Sequence, residues 1–284
     1  MDGILNVNKP EGITSFGVVA RLRKIYGQKK IGHGGTLDPM ASGVLPVFLG
    51  QMTRLIQYAP IDRKSYDAVF TMGFATDTED ITGKRIAEDG GILSDRACWE
   101  EVCRSFRGSI SQVPSAYSAV RIQGEHAYQK ARRGEAVSLP PRDITIYKLE
   151  IIDIAPPLLS VHVECSKGTY VRALGRDMAK KAGCLLTLSK LVRTSAGAFH
   201  LRDAVTLDDI EADPQKAIIS DVRSVLSHLP EIRLDEEKAN DFLHGRRISA
   251  DHENSLACAV YEEMKLLGIG RIDQGILHPK KVFL

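Results

Sequence analysis

Asp38 is the residue of this chain best placed to do chemistry. Residues 31–49 read IGHGGTLDPMASGVLPVFL, and Gly32, Gly34, Gly35 and Gly43 surround that single carboxylate. Glycine permits backbone conformations and close approaches that a side chain would block. Pro39 follows directly and biases Asp38 away from the helical region, towards an extended or turn geometry. The apolar run Val44–Leu49 then reads as a buried strand. A carboxylate fixed on a stiff turn beside such a strand can act as a base or a nucleophile on a ligand lying against the loop. Gly, Asp and Pro are also ordinary turn residues, so the loop alone fits a surface turn as well. His33, just upstream, invites a His–Asp dyad reading. The glycines lack a following Gly-Lys-Ser/Thr, which speaks against a phosphate-binding NTPase loop.

A buried aspartate needs a cation or hydrogen-bond donors to stay ionised. Between Ser166 and Arg193 stand seven basic residues, Lys167, Arg172, Arg176, Lys180, Lys181, Lys190 and Arg193, against the single acid Asp177. Asp203 to Asp213 holds five acids and no base. A basic cluster in a chain of formal net charge +2 can form a footprint for a polyanion. Arg172, Arg176 and Lys180 recur every four residues and form one helical stripe, the ordinary pattern of a solvated face. Tyr66 opens a β-rich stretch, and Leu191 reads by periodicity as plain core.

The elements that must position these groups are a mixture. Gly3–Val7 reads as a strand, and Thr14 or Ser15 caps a helix running to about Tyr26. Tyr66–Met72 is a strand ending at Gly73. Ser94 caps a helix to Phe106, stopped by Gly108. Ile144–Ile154 and Leu158–Cys165 are strands joined through Pro156-Pro157, and Thr169–Ala182 is a helix closed by Gly183. The segment 112–142 is turn-rich and basic, with Arg121, Lys130, Arg132, Arg133 and Arg142, and reads as a loop insertion that closes on a ligand. After Pro230 come a short helix, Asp235–Leu243, a turn at Gly245, and strands at Leu256–Tyr261, Lys265–Ile272 and Lys281–Leu284. The irregular alternation and hairpin-like connections predict an α+β fold rather than a Rossmann pattern.

With 284 residues, 43% of them hydrophobic, the chain reads as one large domain plus a small one. The five cysteines are odd in number and lack metal-knuckle spacing, which predicts free thiols, a reducing compartment and no metal site. No signal-peptide pattern and no bilayer-length apolar run is present. These features point to a cytoplasmic protein without membrane contact.

Four separated motifs resemble those of the TruB family of tRNA pseudouridine synthases. From Gly32 to Pro46 the chain matches the family pattern GH-x-G-x-LDP-x-A-[ST]-G-x-LP, with Gly34, Met40 and Ser42 as small or volume-conserving departures. Lys9-Pro10-Glu11-Gly12-Ile13-Thr14-Ser15 resembles the N-terminal KP-x-G-x-[ST]-S motif. Phe106-Arg107-Gly108 with Gln112-Val113-Pro114-Ser115-Ala116-Tyr117-Ser118-Ala119, and Cys165-Ser166-Lys167-Gly168-Thr169-Tyr170-Val171-Arg172, resemble two more. Four motifs in the family's order are a strong signal where one would be weak.

The resemblance implies a pseudouridine synthase fold: a mixed, mostly antiparallel central sheet flanked by helices and loops, in a catalytic domain 1–229. An RNA-clamping insertion spans about 112–142, and a small PUA-like RNA-binding module spans 230–284. It implies Asp38 as the catalytic carboxylate, Arg172 as its ion-pair partner, and Tyr66 stacked on the target base. Tyr170 and Leu191 complete the base pocket, and His33 fills space near everted nucleotides. Lys9 and Pro10 support the Asp38 loop, and Arg132, Arg133, Arg176 and Lys180 meet RNA phosphate. The implied substrate is the T-arm stem-loop of tRNA, isomerised at the uridine conventionally numbered 55, without cofactor or obligate protein partner and as a monomer. Because every implied catalytic residue precedes Arg193, a chain ending near Leu229 is expected to keep turnover at saturating tRNA. Two other readings stand beside this one. A subunit of an RNA-guided particle acting on rRNA is disfavoured by Met40-Ala41-Ser42 and the short C-terminal module. A non-catalytic tRNA-binding or folding module is disfavoured by the intact Asp38, Tyr66 and Arg172 set.

Overall fold

The computed structural model describes every residue except Gly90, Ala119, Gln123, Ser220 and Leu284. The last residue of the Tyr117-Ser118-Ala119 motif and the end of the final predicted strand therefore lie outside the described residues. Seven strands lie side by side in the order Gly3–Lys9, Ser42–Leu49, Leu186–Ala196, Arg63–Met72, Leu158–Ser166, Arg142–Ala155 and Gly108–Gln112. Short strands Ile31–His33 and Phe199–His200 pair at their margins. All the pairings are antiparallel except Leu186–Ala196 against Ser42–Leu49. The fold is the expected α+β class.

That one parallel pairing positions the Asp38 loop. It touches only at Val192↔Ser42 and Arg193↔Gly43. The other half of Ser42–Leu49 pairs instead with Ile31–His33, through Ile31↔Leu49 and His33↔Val47. The sheet splits along this strand, and residues 34–41 cross the split as a loop. Gly43 makes the approach possible: it has φ +101, and a Cβ there would lie 2.3 Å from the Arg193 carbonyl oxygen.

The strand Arg63–Met72 alternates as a half-buried strand should, with Tyr66, Ala68, Phe70 and Met72 all buried. Helix Val171–Ala182 lies across it, and Gly175 leaves room for the Phe70 ring, whose nearest carbon would stand 2.2 Å from a Cβ. Trp99 of helix Arg96–Ser105 fills the same core and donates its indole N–H to the Leu93 carbonyl at 2.9 Å. On the far side of the split, Val18, Val19 and Leu22 of helix Ser15–Ile25 pack on Leu5, Val7, Leu45 and Val47.

Several boundaries differ from the sequence expectations for identifiable reasons. The cap of the second helix is Asp95, not Ser94; its carboxylate accepts from the Ala97 amide at 2.9 Å. The basic helix begins at Val171 rather than Thr169, because Tyr170 is held extended while Gln112 exchanges two hydrogen bonds with its backbone. The last strand is Ile276–Val282 rather than Lys281–Leu284. It follows a tight turn in which Gln274 and Gly275 take positive φ, and Pro279 within it disguises a strand. Strand Leu186–Ala196 was not expected at all, because Lys190 and Arg193 interrupt its apolar pattern.

From Glu231 the chain forms a second, five-stranded sheet ordered Glu231–Arg233, Ser255–Glu262, Lys265–Asp273, Ile276–Val282 and Ile248–Ser249. Helix Glu236–Leu243 covers one face through Ala239 and Phe242. The other face is part of the first sheet's core. Ala259, Tyr261, Ile269 and Phe283 pack in one cluster with Ile4, Val44, Phe48, Ala196 and Phe199. Arg54 fastens the junction, donating to the Val282 carbonyl at 2.7 Å and lying over the Phe283 ring.

The shared core bears on the expectation that a chain ending near Leu229 keeps turnover at saturating tRNA, because such a chain must first fold without part of that core. That cut removes four buried side chains of this cluster, Ala259, Tyr261, Ile269 and Phe283, and uncovers Phe48 and Phe199, at a cost above about 5 kcal/mol. A chain truncated after Leu229 is expected to melt far below the full chain or to be recovered insoluble. A soluble truncation with the melting temperature of the full chain would contradict this packing.

Candidate active site

Three anchors fix the Asp38 loop. The Ser15 hydroxyl accepts from the Leu37 amide at 2.8 Å and donates to the Leu37 carbonyl at 3.1 Å. Lys9 is fully buried, and its ammonium donates to the carbonyls of Pro10, Ile13 and Pro39 at 2.8, 2.7 and 3.3 Å. Burial pushes its pKa down to about 8, opposed by the negative charge of Asp38. Arg193, also at 0% exposure, donates to the carbonyls of Val44, Gly35 and Thr36 at 2.6, 3.2 and 3.3 Å. The segment Lys9–Ser15 thus clamps one flank of the loop and a guanidinium inside the sheet split pins the other.

On that loop the Asp38 side chain is 36% exposed, and its Oδ2 accepts from Arg172 Nε at 2.9 Å. Arg172 is 4% exposed and fully engaged. Its Nη1 donates to the Thr78 carbonyl at 2.9 Å and to Ser115 Oγ at 3.3 Å, and its Nη2 to the Tyr117 carbonyl at 3.0 Å. Asp80 supplies a second carboxylate 3.7 Å from Nε. Asp80 is itself buried and ordered by Thr78 Oγ1, Thr82 Oγ1 and the Thr82 amide. A guanidinium this buried needs such a full set of acceptors.

Two hollows meet at Asp38. The inner one, about 210 Å³, is lined by Asp38, Lys64, Tyr66, Tyr170, Arg172 and Leu191 among others. The outer one, about 480 Å³, holds His33, Asp38, Met40, Tyr117, Tyr128 and Arg132. The structure therefore gathers Asp38, Tyr66, Tyr170, Arg172 and Leu191 into one pocket and places His33 and Arg132 in the adjoining groove. Burial raises the Tyr66 pKa against the lowering effect of the Arg193 charge, so its phenol stays protonated near neutrality. Burial and Arg193 both lower the His33 pKa, so a neutral imidazole faces the groove.

The remaining expected RNA contacts divide. Arg132 lies exposed over the Tyr128 ring, and Lys180 is exposed on its helix. Arg133 is ion-paired with Glu125 and Glu135. Arg176 is held by Glu79 at 2.6 Å, Asp177 at 2.9 Å and the Val113 carbonyl at 2.8 Å. Sequence reasoning missed Asp80, Thr78, Ser15, Lys64 and the structural role of Arg193. The run Thr76–Gly83 carried a signal, dense Thr and Asp ahead of a glycine, which is the composition of side-chain-bonded turns. Nothing in the sequence distinguishes buried Arg193 from its exposed basic neighbours.

Among proteins of known sequence, the description "TruB family pseudouridylate synthase (N terminal domain)" fits residues 23–171. A tRNA pseudouridine synthase B of Dehalococcoides mccartyi is 42% identical across 100% of this chain and 97% of its own length. The chain belongs to the TruB family of pseudouridine synthases. The same enzyme name is carried by a relative from Caldanaerobacter subterraneus, 42% identical over 100% of this chain and 99% of that protein. Residues 230–283 match "Pseudouridine synthase II TruB, C-terminal". Among solved structures, a chain of a Cbf5-Nop10-Gar1 complex superposes with a TM-score of 0.76 at 25% identity, covering 99% of this chain and 85% of that one. In this TruB-family chain the Asp38 loop depends on Arg193. Arg193→Met strands three buried carbonyls, a loss of about 2–5 kcal/mol. A calorimetric melt is expected to show this as a clear drop, and an unchanged melting temperature would contradict the pinning role.

Proposed function

We propose that this chain is a tRNA pseudouridine synthase that isomerises the T-arm uridine conventionally numbered 55. The observation that carries the reading is the Asp38–Arg172 pair at 2.9 Å, set at the mouth of a pocket shared with Tyr66, Tyr170 and Leu191. The reaction breaks the N1–C1′ bond of uridine, turns the base and rejoins it through C5. It changes no oxidation state and needs no cofactor. The target must leave the T-loop stack, because C1′ and C5 are out of reach in a closed stack. The inner pocket receives the flipped base, with the Tyr66 ring and Leu191 supplying apolar surface. The neutral His33 occupies the outer groove beside the everted nucleotides. Asp38, partly exposed beside Arg172, supplies the carboxylate that acts on the sugar or base.

Arg132 and Lys180 offer charge to the phosphates, and the C-terminal sheet extends the RNA-binding surface. The protein works alone in the cytoplasm; among the described residues no helix is long and apolar enough to cross a membrane. A second reading, a subunit of a guide-RNA particle, draws on the likeness to the chain in the Cbf5-Nop10-Gar1 complex. The closer identity to proteins named tRNA pseudouridine synthase B, over nearly their whole length, favours the first.

The test is incubation with unmodified tRNA transcript followed by chemical mapping of pseudouridine. Product at the T-loop uridine without guide RNA is expected. Asp38→Asn is expected to fold, to bind tRNA like the parent and to make no detectable product, and appreciable product from it would sink the mechanism. Binding is expected to weaken steeply with salt as counterions return to the phosphates, and a flat affinity from low to physiological salt would exclude a phosphate-led footprint.

A further inference from the structure

The inner pocket holds a cation with no assigned task. Lys64 precedes Tyr66 by two residues on the strand Arg63–Met72, so both side chains leave the same face of the sheet and line the same pocket. Among the described residues the two cations lining that pocket are Lys64 and Arg172. Arg172 is committed to Asp38, Thr78, Ser115 and Tyr117. Arg193, close behind, is committed to three loop carbonyls. Among the described residues no hydrogen bond or ion pair holds the Lys64 ammonium. Asp62, an acid whose charge reaches Lys64 and partly offsets its burial, is bonded to Lys167 at 3.0 Å. Cys165, paired with Lys64 across the sheet, is a thiol pushed up to about 11 and carries no compensating charge. Burial, with Arg193 nearby, lowers the Lys64 pKa, because a charged ammonium there is incompletely compensated by the protein.

The reaction supplies that anion. When the N1–C1′ bond breaks, its electron pair leaves with the base, and uracil becomes an anion with charge spread over N1 and the two carbonyl oxygens. In a pocket walled by Tyr66, Tyr170 and Leu191 such a charge is costly without a donor. We propose that Lys64 donates a hydrogen bond to the departing uracil and stabilises its negative charge while the base is detached. The step transfers no proton from Lys64 and balances internally: the C5 proton is lost, N1 gains one, and the electron pair returns to C1′ through C5. The inference rests on the uridine-isomerising reading of this pocket.

The test compares Lys64→Met with the parent on two tRNA transcripts, one with uridine and one with 5-fluorouridine at the target. Fluorine stabilises the uracil anion, so 5-fluorouracil leaves more readily and needs less help. Glycosidic cleavage is followed in single turnovers at saturating tRNA, with tRNA affinity and melting temperature measured on the same samples. Lys64→Met is expected to cleave the uridine substrate about 100-fold more slowly, the usual effect of losing one such donor. Its affinity should be unchanged, and the deficit should shrink markedly on 5-fluorouridine. Lys64→Arg, which keeps a charged donor, should recover part of the rate, and the Arg-to-Gln comparison at this position serves if the Met variant does not fold. Weaker binding with an unchanged saturated rate would assign Lys64 to a phosphate and overturn the proposal. An equal deficit on both substrates, or no deficit, would also overturn it. A parent protein that makes no pseudouridine would instead refute the enzymatic reading itself.

Discussion

The Arg172 guanidinium is the contact on which the site depends. Almost wholly buried, it is stable only while surrounded by acceptors, and those come from three distant stretches of chain. Asp38 arrives on the loop across the sheet split, Thr78 and Asp80 on a turn after the central strand, and Ser115 and Tyr117 at the root of the 112–142 insertion. None of these segments has regular structure of its own. Each is fixed because leaving a buried charge without partners would cost several kcal/mol. The pair therefore assembles the site as well as orienting its carboxylate.

The other buried cations frame that contact. Arg193 holds the Asp38 loop from inside the split and Lys9 holds it from the N-terminal flank, both through backbone carbonyls. Neither lines the inner pocket. Their charges also reach neighbouring groups: Arg193 helps keep His33 neutral and pulls against the burial of Tyr66. Lys9, Lys64, Arg172 and Arg193 thus lie around the Asp38 loop, with Asp80 as a second carboxylate beside Arg172. Three of these cations have their donors taken by the protein, so among the described residues the pocket presents one unclaimed ammonium, that of Lys64, to an incoming base.

Much of this was legible in the sequence, for reasons that can be named. The Asp38 loop announced itself through glycines and a proline whose backbone preferences are strong and local. The helix Ser15–Ile25, the hairpin strands and the Gly183 stop followed from capping and periodicity. The basic stripe was harder. Arg172, Arg176 and Lys180 share one spacing, yet the first is buried, the second is paired with Glu79 and the third is solvated. The helix enters the core at its N-terminal end, a fact of tertiary packing that spacing cannot express. Arg193 counted as one more charge in a basic cluster, although its strand carries it into the sheet. The join between the two sheets was also hidden, because alternating strands declare an apolar face without saying what covers it.

In the proposed mechanism Arg172 acts through Asp38, and a double-mutant cycle measures this most directly. Single-turnover rates at saturating tRNA are compared for Arg172→Met in the parent and in an Asp38→Glu background, in which the carboxylate is carried one methylene further from the loop. If the two residues work as a unit, Arg172→Met costs much in the parent and little beside Asp38→Glu, a strongly non-additive result. Equal losses in both backgrounds would show that Arg172 contributes independently of Asp38, and would contradict the account.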